Sequence, residues 1–231
     1  MRINKYLAEA GCCSRRDADG LIRKGRVLLN GKRAQLGDRV GNKDRVTLSG
    51  KTVKPQSKKI YLLYHKPVGV ITTTEKGVHG VLDQVRVPER VYPVGRLDVA
   101  TSGLLLLTND GRVVNRMLKG KYGHEKEYEV TVDKTITVAF LESLRCGIVL
   151  DDHSTLPAQA RKIGDREFSL TLIEGRNRQV RRMCETLGYR VTKLARVRIL
   201  HLHDRGLRPG MWRLLTEQEQ RALFKELHLS A

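Results

Sequence analysis

Cysteine is scarce in this 231-residue chain. Cys12, Cys13, Cys146 and Cys184 include one adjacent pair and no Cys-x-x-Cys spacing. That pattern argues against a disulfide framework and against a cysteine-based zinc site. The seven histidines show no ligand spacing with those cysteines. His201 and His203 would share one face of a strand, but no metal is expected there. Long hydrophobic runs are missing as well: none approaches the roughly 18 to 20 apolar residues that span a bilayer. The opening Met1-Arg2-Ile3-Asn4-Lys5 has no signal-peptide apolar core. The protein is therefore expected in the cytoplasm, with no membrane partner and no bound metal. It contains no internal repeat or low-complexity tract.

Acidic residues are the third deficit. Asp and Glu total 25 against 44 Lys and Arg, a formal net charge of +19. Such a surplus repels itself in a folded chain, and a polyanion is its natural counterpart. Mere solubility needs far less charge, so nucleic acid leads the candidate partners. The hydrophobic share of 40% describes a globular protein. The length suits one large domain, or a catalytic domain with a small appendage.

The chain divides into three parts on composition. Residues 1–48 form a small basic module with nine Lys or Arg against three acids in its first 33 positions. Ser14 can cap a helix, with Asp17 as its capping partner, and Ala18, Leu21 and Ile22 fall on one face. Gly25 stops that helix. Val27-Leu28-Leu29 followed by Asn30-Gly31 reads as a strand and tight turn. Arg2, Arg15, Arg16 and Lys32 would present a phosphate-binding face, or a merely solvated one. Residues 49–59 are polar and carry Gly and Pro, as a linker does. Residues 60–231 hold the remaining elements. Strands are expected over Ile60 to Tyr64, Val70 to Thr73 and Phe168 to Leu172. Helices are expected after Asp110, from about Thr137, and after Asn177.

The stretch Tyr92-Pro93-Val94-Gly95-Arg96-Leu97-Asp98-Val99-Ala100-Thr101-Ser102-Gly103 runs into Leu104 to Leu107, a compact apolar strand. Glycines allow a sharp turn and a close approach. An Asp on such a loop beside a rigid sheet can be aimed at a substrate; it can equally be a solvated surface residue. Tyr128, Val130 and Val132 share a face of the next strand, where a tyrosine either packs in the core or lays its ring along a cleft to stack on a nucleobase. Between Gly175 and Arg198 there are eight Lys or Arg and one acid. Val180, Met183, Cys184 and Leu187 make the buried stripe of a helix there, with Arg178, Arg181 and Arg182 off it. Arginines at a helix N-terminus favour an anion, either a phosphate or a protein carboxylate.

Residues Arg2-Ile3-Asn4-Lys5-Tyr6-Leu7, Cys13 to Ala18 and Val27 to Gly31 resemble the S4-type (S-four-type) RNA-binding domain. Lys66-Pro67-Val68-Gly69, Gly95-Arg96-Leu97-Asp98 with Thr101-Ser102-Gly103-Leu104, Lys126-Glu127-Tyr128, and Glu174 to Met183 resemble, in this order, the RsuA family of bacterial ribosomal RNA pseudouridine synthases. The narrower likeness, carried by His124 to Tyr128 and Arg178 to Glu185, is to its RluF branch. One departure is His65, where the family more often has Asn.

The resemblance implies an α+β fold. A small N-terminal S4-type domain would precede a mixed, mainly antiparallel sheet flanked by helices and crossed by a central cleft. It implies isomerisation of uridine to pseudouridine in large-subunit ribosomal RNA, with transfer RNA as a further substrate. That reaction involves no redox change and no net addition of water, so no cofactor is expected. Asp98 would carry the chemistry, attacking C1′ or removing the 2′ proton. Arg181 would pair with Asp98, Tyr128 would stack on the uracil and help a later proton transfer, and Arg96 would fill the gap left when the base flips out. Arg176, Arg178 and Lys126 would join the substrate-binding surface. The protein is expected to be a monomer. Two other readings stand beside this one. A non-catalytic RNA-binding or ribosome-assembly module explains the charge but leaves Asp98 and Tyr128 idle. A nucleic-acid hydrolase would need a second acid or metal ligands.

Overall fold

A computed structural model describes residues 1–56, 58–75, 77–119 and 123–230. The chain forms two units. The first comprises residues 1–60 with the short stretches 87–91 and 109–111, and the second comprises the rest.

In the first unit, helices α1 (Ile3–Glu9) and α2 (Arg15–Arg23) precede strands β1 (Val27–Leu29), β2 (Lys32–Arg33), β3 (Val46–Leu48) and β4 (Lys51–Val53). The strands lie in the order β2-β1-β3-β4. Ser14 accepts from the Asp17 backbone N–H while the Asp17 carboxylate accepts from Ser14 N–H, which is the expected capping box. Gly25 follows the helix at φ +66°, and Asn30-Gly31 turns with φ values of +51° and +83°. Both positions need the left-handed region, which glycine enters freely and asparagine tolerates. Ile3, Leu7, Ala18, Ile22, Val27 and Val46 close a small core. The expected linker needs correction over part of its length. Val46-Thr47-Leu48 and Lys51-Thr52-Val53 flank a Ser49-Gly50 turn, so β4 pairs with β3 and Val53 is buried. Ser57, also in that stretch, lies outside the described residues.

The second unit contains β5 (Tyr61–Lys66), α3 (Val81–Gln84), β6 (Tyr92–Pro93), β7 (Ser102–Thr108), α4 (Gly111–Leu118), β8 (Lys126–Val132), α5 (Val138–Cys146), β9 (Val149–Leu150) and β10 (His153–Ser154). It continues through β11 (Gln159–Lys162), β12 (Glu167–Leu172), α6 (Gln179–Thr186), β13 (Val191–Ile199), β14 (Leu202–His203), β15 (Trp212–Leu214) and α7 (Glu217–Glu226). The main sheet runs β11-β12-β8-β13-β7-β5-β15. Its β13–β7 pairing is parallel and the other pairings are antiparallel. This is the mixed, mainly antiparallel α+β arrangement expected. Leu104 to Leu107 are fully buried at the centre of β7, each contributing about 2 kcal/mol of apolar burial.

Two apolar clusters sit on this sheet. One joins β8, β12 and β13 to α5 and α6 through Val130, Phe168, Leu170, Phe140, Leu144 and Met183. The other joins β5 and β7 to α4 and α7 through Leu63, Leu104, Leu106, Val113 and Leu223. Thr137 caps α5 and Thr216 caps α7, each accepting from a backbone N–H three residues on. The strand expected over Val70 to Thr73 does not form; only Ile71 makes an isolated bridge, to Gly80. Among the described residues no helix is long and apolar enough to cross a membrane.

Candidate active site

Asp98 lies on the loop between β6 and β7, and the backbone around it is tied down at nearly every residue. Thr72 Oγ1 donates to Leu97 O at 2.8 Å and accepts from Leu97 N–H at 3.2 Å. Thr101 N–H donates to Asp98 O at 3.0 Å. Gly69 N–H donates to Val99 O at 2.9 Å, and Arg181 Nη2 donates to Ala100 O at 2.8 Å. Leu97 anchors the loop in the same apolar cluster as Tyr128 and Val180. The Asp98 side chain itself is half-buried and has no hydrogen-bond donor among the described residues. A carboxylate on so constrained a backbone is pre-aimed and free to accept a substrate group.

Gly103 shows why this corner needs glycine. Its φ is +106°, and an added Cβ would lie 2.2 Å from Arg196 O. The parallel contact between β7 and β13 covers only the pairs Ser102–Ala195 and Gly103–Arg196.

Two cations act on Asp98. Lys66 is fully buried, and its ammonium donates to Pro67 O at 2.8 Å, Val70 O at 2.9 Å and Val99 O at 3.4 Å. Burial pulls its pKa down from 10.5 to about 8, and the Asp98 charge opposes that fall. Arg181 is also buried. Burial first, then the neighbouring Arg178, pull its pKa below the usual guanidinium value, while Asp98 and Glu185 support the charge.

The expected pairing of Arg181 with Asp98 takes a different form. Arg181 Nη1 donates to Val191 O at 3.1 Å and Nη2 to Ala100 O. Arg181 therefore faces Asp98 as a nearby charge and grips the loop two residues further on, with no ion pair within 4 Å among the described residues. Arg181 was also expected off the buried stripe of α6. It is 8% exposed because it reaches between β13 and the Asp98 loop, a contact that helical periodicity cannot express.

Helix α6 begins one residue later than expected. Arg178, in the left-handed region at φ +49°, is its N-cap, and no side chain caps it. Buried Gln179 reaches back instead: its Oε1 accepts from Arg176 N–H at 3.0 Å and its Nε2 donates to Glu174 at 2.6 Å. Arg176 and Arg178 are exposed at this helix start, and Arg176 Nε lies 3.6 Å from Glu174.

Tyr128 is 9% exposed in β8, opposite Arg196 of β13 and Leu170 of β12. Half-buried Lys126 donates to His124 O at 2.8 Å. Its pKa is pushed down to about 8 by burial and by Arg196, against Glu174. Arg96 is exposed beside Asp98. In the other unit, Arg2, Arg15, Arg16 and Lys32 are all exposed, Arg15 and Arg16 at the first turn of α2. Cys184 packs in the apolar cluster, as expected, with burial raising its thiol pKa to about 12. His65, the residue that departs from the expected Asn, donates from Nδ1 to Leu207 O at 2.7 Å.

The sequence reading assigned no role to Lys66 or Thr72 and did not single out Arg196. Lys66 ends a strand whose preceding residues are almost all apolar, a local signal that its side chain points inward.

The RNA pseudouridylate synthase family model matches residues 60–186, and an S4 domain model matches residues 1–46. The chain belongs to the RNA pseudouridine synthase family. It is 43% identical over 234 residues to the dual-specificity RNA pseudouridine synthase RluF of Escherichia coli strain K12, covering all of this chain and 81% of that protein. It is 41% identical to the ribosomal large subunit pseudouridine synthase B of Bacillus subtilis strain 168, covering 96% of this chain and 95% of that protein. A crystal structure of a pseudouridylate synthase superposes with a TM-score of 0.73 at 29% identity, covering 96% of this chain and 99% of that one.

Proposed function

We propose that this protein isomerises a defined uridine of large-subunit ribosomal RNA, with transfer RNA as a second substrate, and that Asp98 performs the chemistry. The observation that carries the assignment of Asp98 is its unpartnered carboxylate on a tied backbone, facing the charges of Lys66 and Arg181. Those cations face the carboxylate from two sides, and Arg181 also holds the loop that carries it. In the reaction the N1–C1′ bond breaks, the base turns, and C5 bonds to C1′. C5 then loses its proton and N1 regains one. Tyr128 supplies the aromatic surface for the extruded uracil, and Arg96 occupies the space the base leaves in the RNA. Extrusion costs a few kcal/mol, least in irregular loops, so a loop uridine is the favoured target. Arg176, Arg178 and Lys126 bind RNA near the site. Arg2, Arg15, Arg16 and Lys32 of the S4-type domain (residues 1–48) bind it by phosphate contact, with the steep salt dependence that implies.

The substrate assignment draws on the names of the relatives from Escherichia coli and Bacillus subtilis. The protein works in the cytoplasm as a monomer. Mapping pseudouridines in RNA from cells with and without this gene product tests the reading. Loss of one site in large-subunit ribosomal RNA is expected. An unchanged map with intact RNA binding would favour the non-catalytic module.

A further inference from the structure

Arg196 has a donor to spare in a place where donors are costly to leave idle. It lies in β13 with Tyr128 of β8 on one side and Gly103 of β7 on the other. It is 5% exposed. Its Nε donates to Leu104 O at 2.8 Å, while its Nη2 is buried and has no acceptor. Around the same loop, Arg181 Nε and Thr101 Oγ1 are buried without partners too. An unsatisfied buried donor costs about 1–3 kcal/mol, and more when it belongs to a charged group.

The electrostatics point the same way. Burial first, then Arg196, depresses Lys126, and burial depresses Lys66. Buried Lys66, Arg181 and Arg196 have no ion pair within 4 Å among the described residues. Such an arrangement is relieved when negative charge enters.

We infer that Arg196 contacts the base, its free Nη2–H donating to a carbonyl oxygen of the extruded uracil. This rests on the synthase reading above. When the N1–C1′ bond breaks, the base keeps the electron pair. Its negative charge is then shared among N1, O2 and O4, so a fixed guanidinium donor is worth more to the departing base than to the bound uridine. Two observations favour the base over an RNA phosphate. The burial of Arg196 is too deep for a backbone that stays at the surface. Its cross-strand position beside Tyr128, at a Cβ separation of about 5 Å, sets an edge-on donor next to a stacking ring. Nη2 is covered in the free protein, so the base meets it after a side-chain shift.

The test measures single-turnover tritium release from RNA labelled at uridine C5, using the full chain. The target uridine carries oxygen, or sulfur at position 2, or sulfur at position 4; sulfur accepts hydrogen bonds poorly. Wild type should slow by about tenfold with sulfur at one of the two positions. Arg196→Gln should be slower by about 100-fold with oxygen, the scale of losing one fixed donor to developing charge, and sulfur should slow it no further. RNA affinity should stay within about threefold, since phosphate contacts dominate it. Arg196→Lys should recover part of the rate by restoring the charge. If the sulfur penalty is the same in wild type and variant at both positions, or absent from wild type at both, Arg196 does not touch the base. Should Arg196→Gln fail to fold, the wild-type comparison decides alone, and no sulfur penalty at either position refutes the contact. A wild type that releases no tritium from the oxygen RNA refutes the synthase reading itself.

Discussion

Replacing Lys66 with methionine tests how the loop bearing Asp98 is held. The pKa depression from 10.5 to about 8 corresponds to about 3 kcal/mol by which the fold disfavours the ammonium. Against this stand short bonds to Pro67 O and Val70 O, worth about 1.5–3 kcal/mol each for a charged donor, and a long one to Val99 O. Methionine fills much the same space and removes the burial cost, but it strands three carbonyl oxygens. The balance is a loss of about 2 kcal/mol, or about 4–8 °C in the unfolding midpoint for a domain of this size. Turnover should fall with it, because Val99 adjoins Asp98, while RNA affinity holds.

The pH dependence of this variant has a definite sign. The folded pKa lies below the unfolded one, so the penalty on Lys66 is complete below about 8 and is lifted as pH rises toward 10.5. The neutral amine keeps two N–H groups for Pro67 and Val70. The stability advantage of wild type over Lys66→Met should therefore widen across that window. Thermal unfolding followed by circular dichroism at pH 7 and pH 10 reads both effects. An unchanged or raised midpoint at pH 7 would refute the clamp, and an advantage that narrows in alkali would refute burial as its main cost.

Three other changes probe separate parts of the account. Gly103→Ala places a Cβ 2.2 Å from Arg196 O in a left-handed backbone; it should cost more than about 3 kcal/mol, and a near-wild-type melting midpoint would contradict the close approach of β7 and β13. Arg213 holds the Glu219 carboxyl at about 2, well below its usual 4.5, so its stabilisation is present above 4.5 and is lost as pH falls toward 2. Glu219→Gln should therefore flatten acid unfolding below pH 4.5, and an unaltered acid limb would argue against that pair. Tyr128→Phe keeps the ring and removes the hydroxyl, which the account assigns to the later proton transfer; RNA binding should stay within about twofold and tritium release should fall by about 100-fold or more, and unchanged turnover would leave the hydroxyl without a role in the reaction.

Local signals in the sequence carried the elements whose cause is local. The Ser14–Asp17 capping box, the Asn30-Gly31 turn, the Leu104 to Leu107 strand and the Thr137 cap all depend on residues within a few positions of each other. What escaped depends on distant partners. β4 was read as linker because three alternating residues gain a strand only by pairing with β3. Helical periodicity puts Arg181 off the buried stripe because it says nothing of Ala100 and Val191 arriving from other elements. Arg196 escapes for the same reason: a basic residue signals solvent until tertiary structure closes over it. The motif around Asp98 was visible, but the ties from Thr72, Gly69 and Lys66 that aim it were not.

The central claim is that one carboxylate does the chemistry on a uridine already bound. Asp98→Asn keeps the volume and removes the charge, so single-turnover tritium release measured beside RNA binding isolates that claim. The account predicts unchanged RNA affinity and no detectable release. Release at the wild-type rate would contradict it outright.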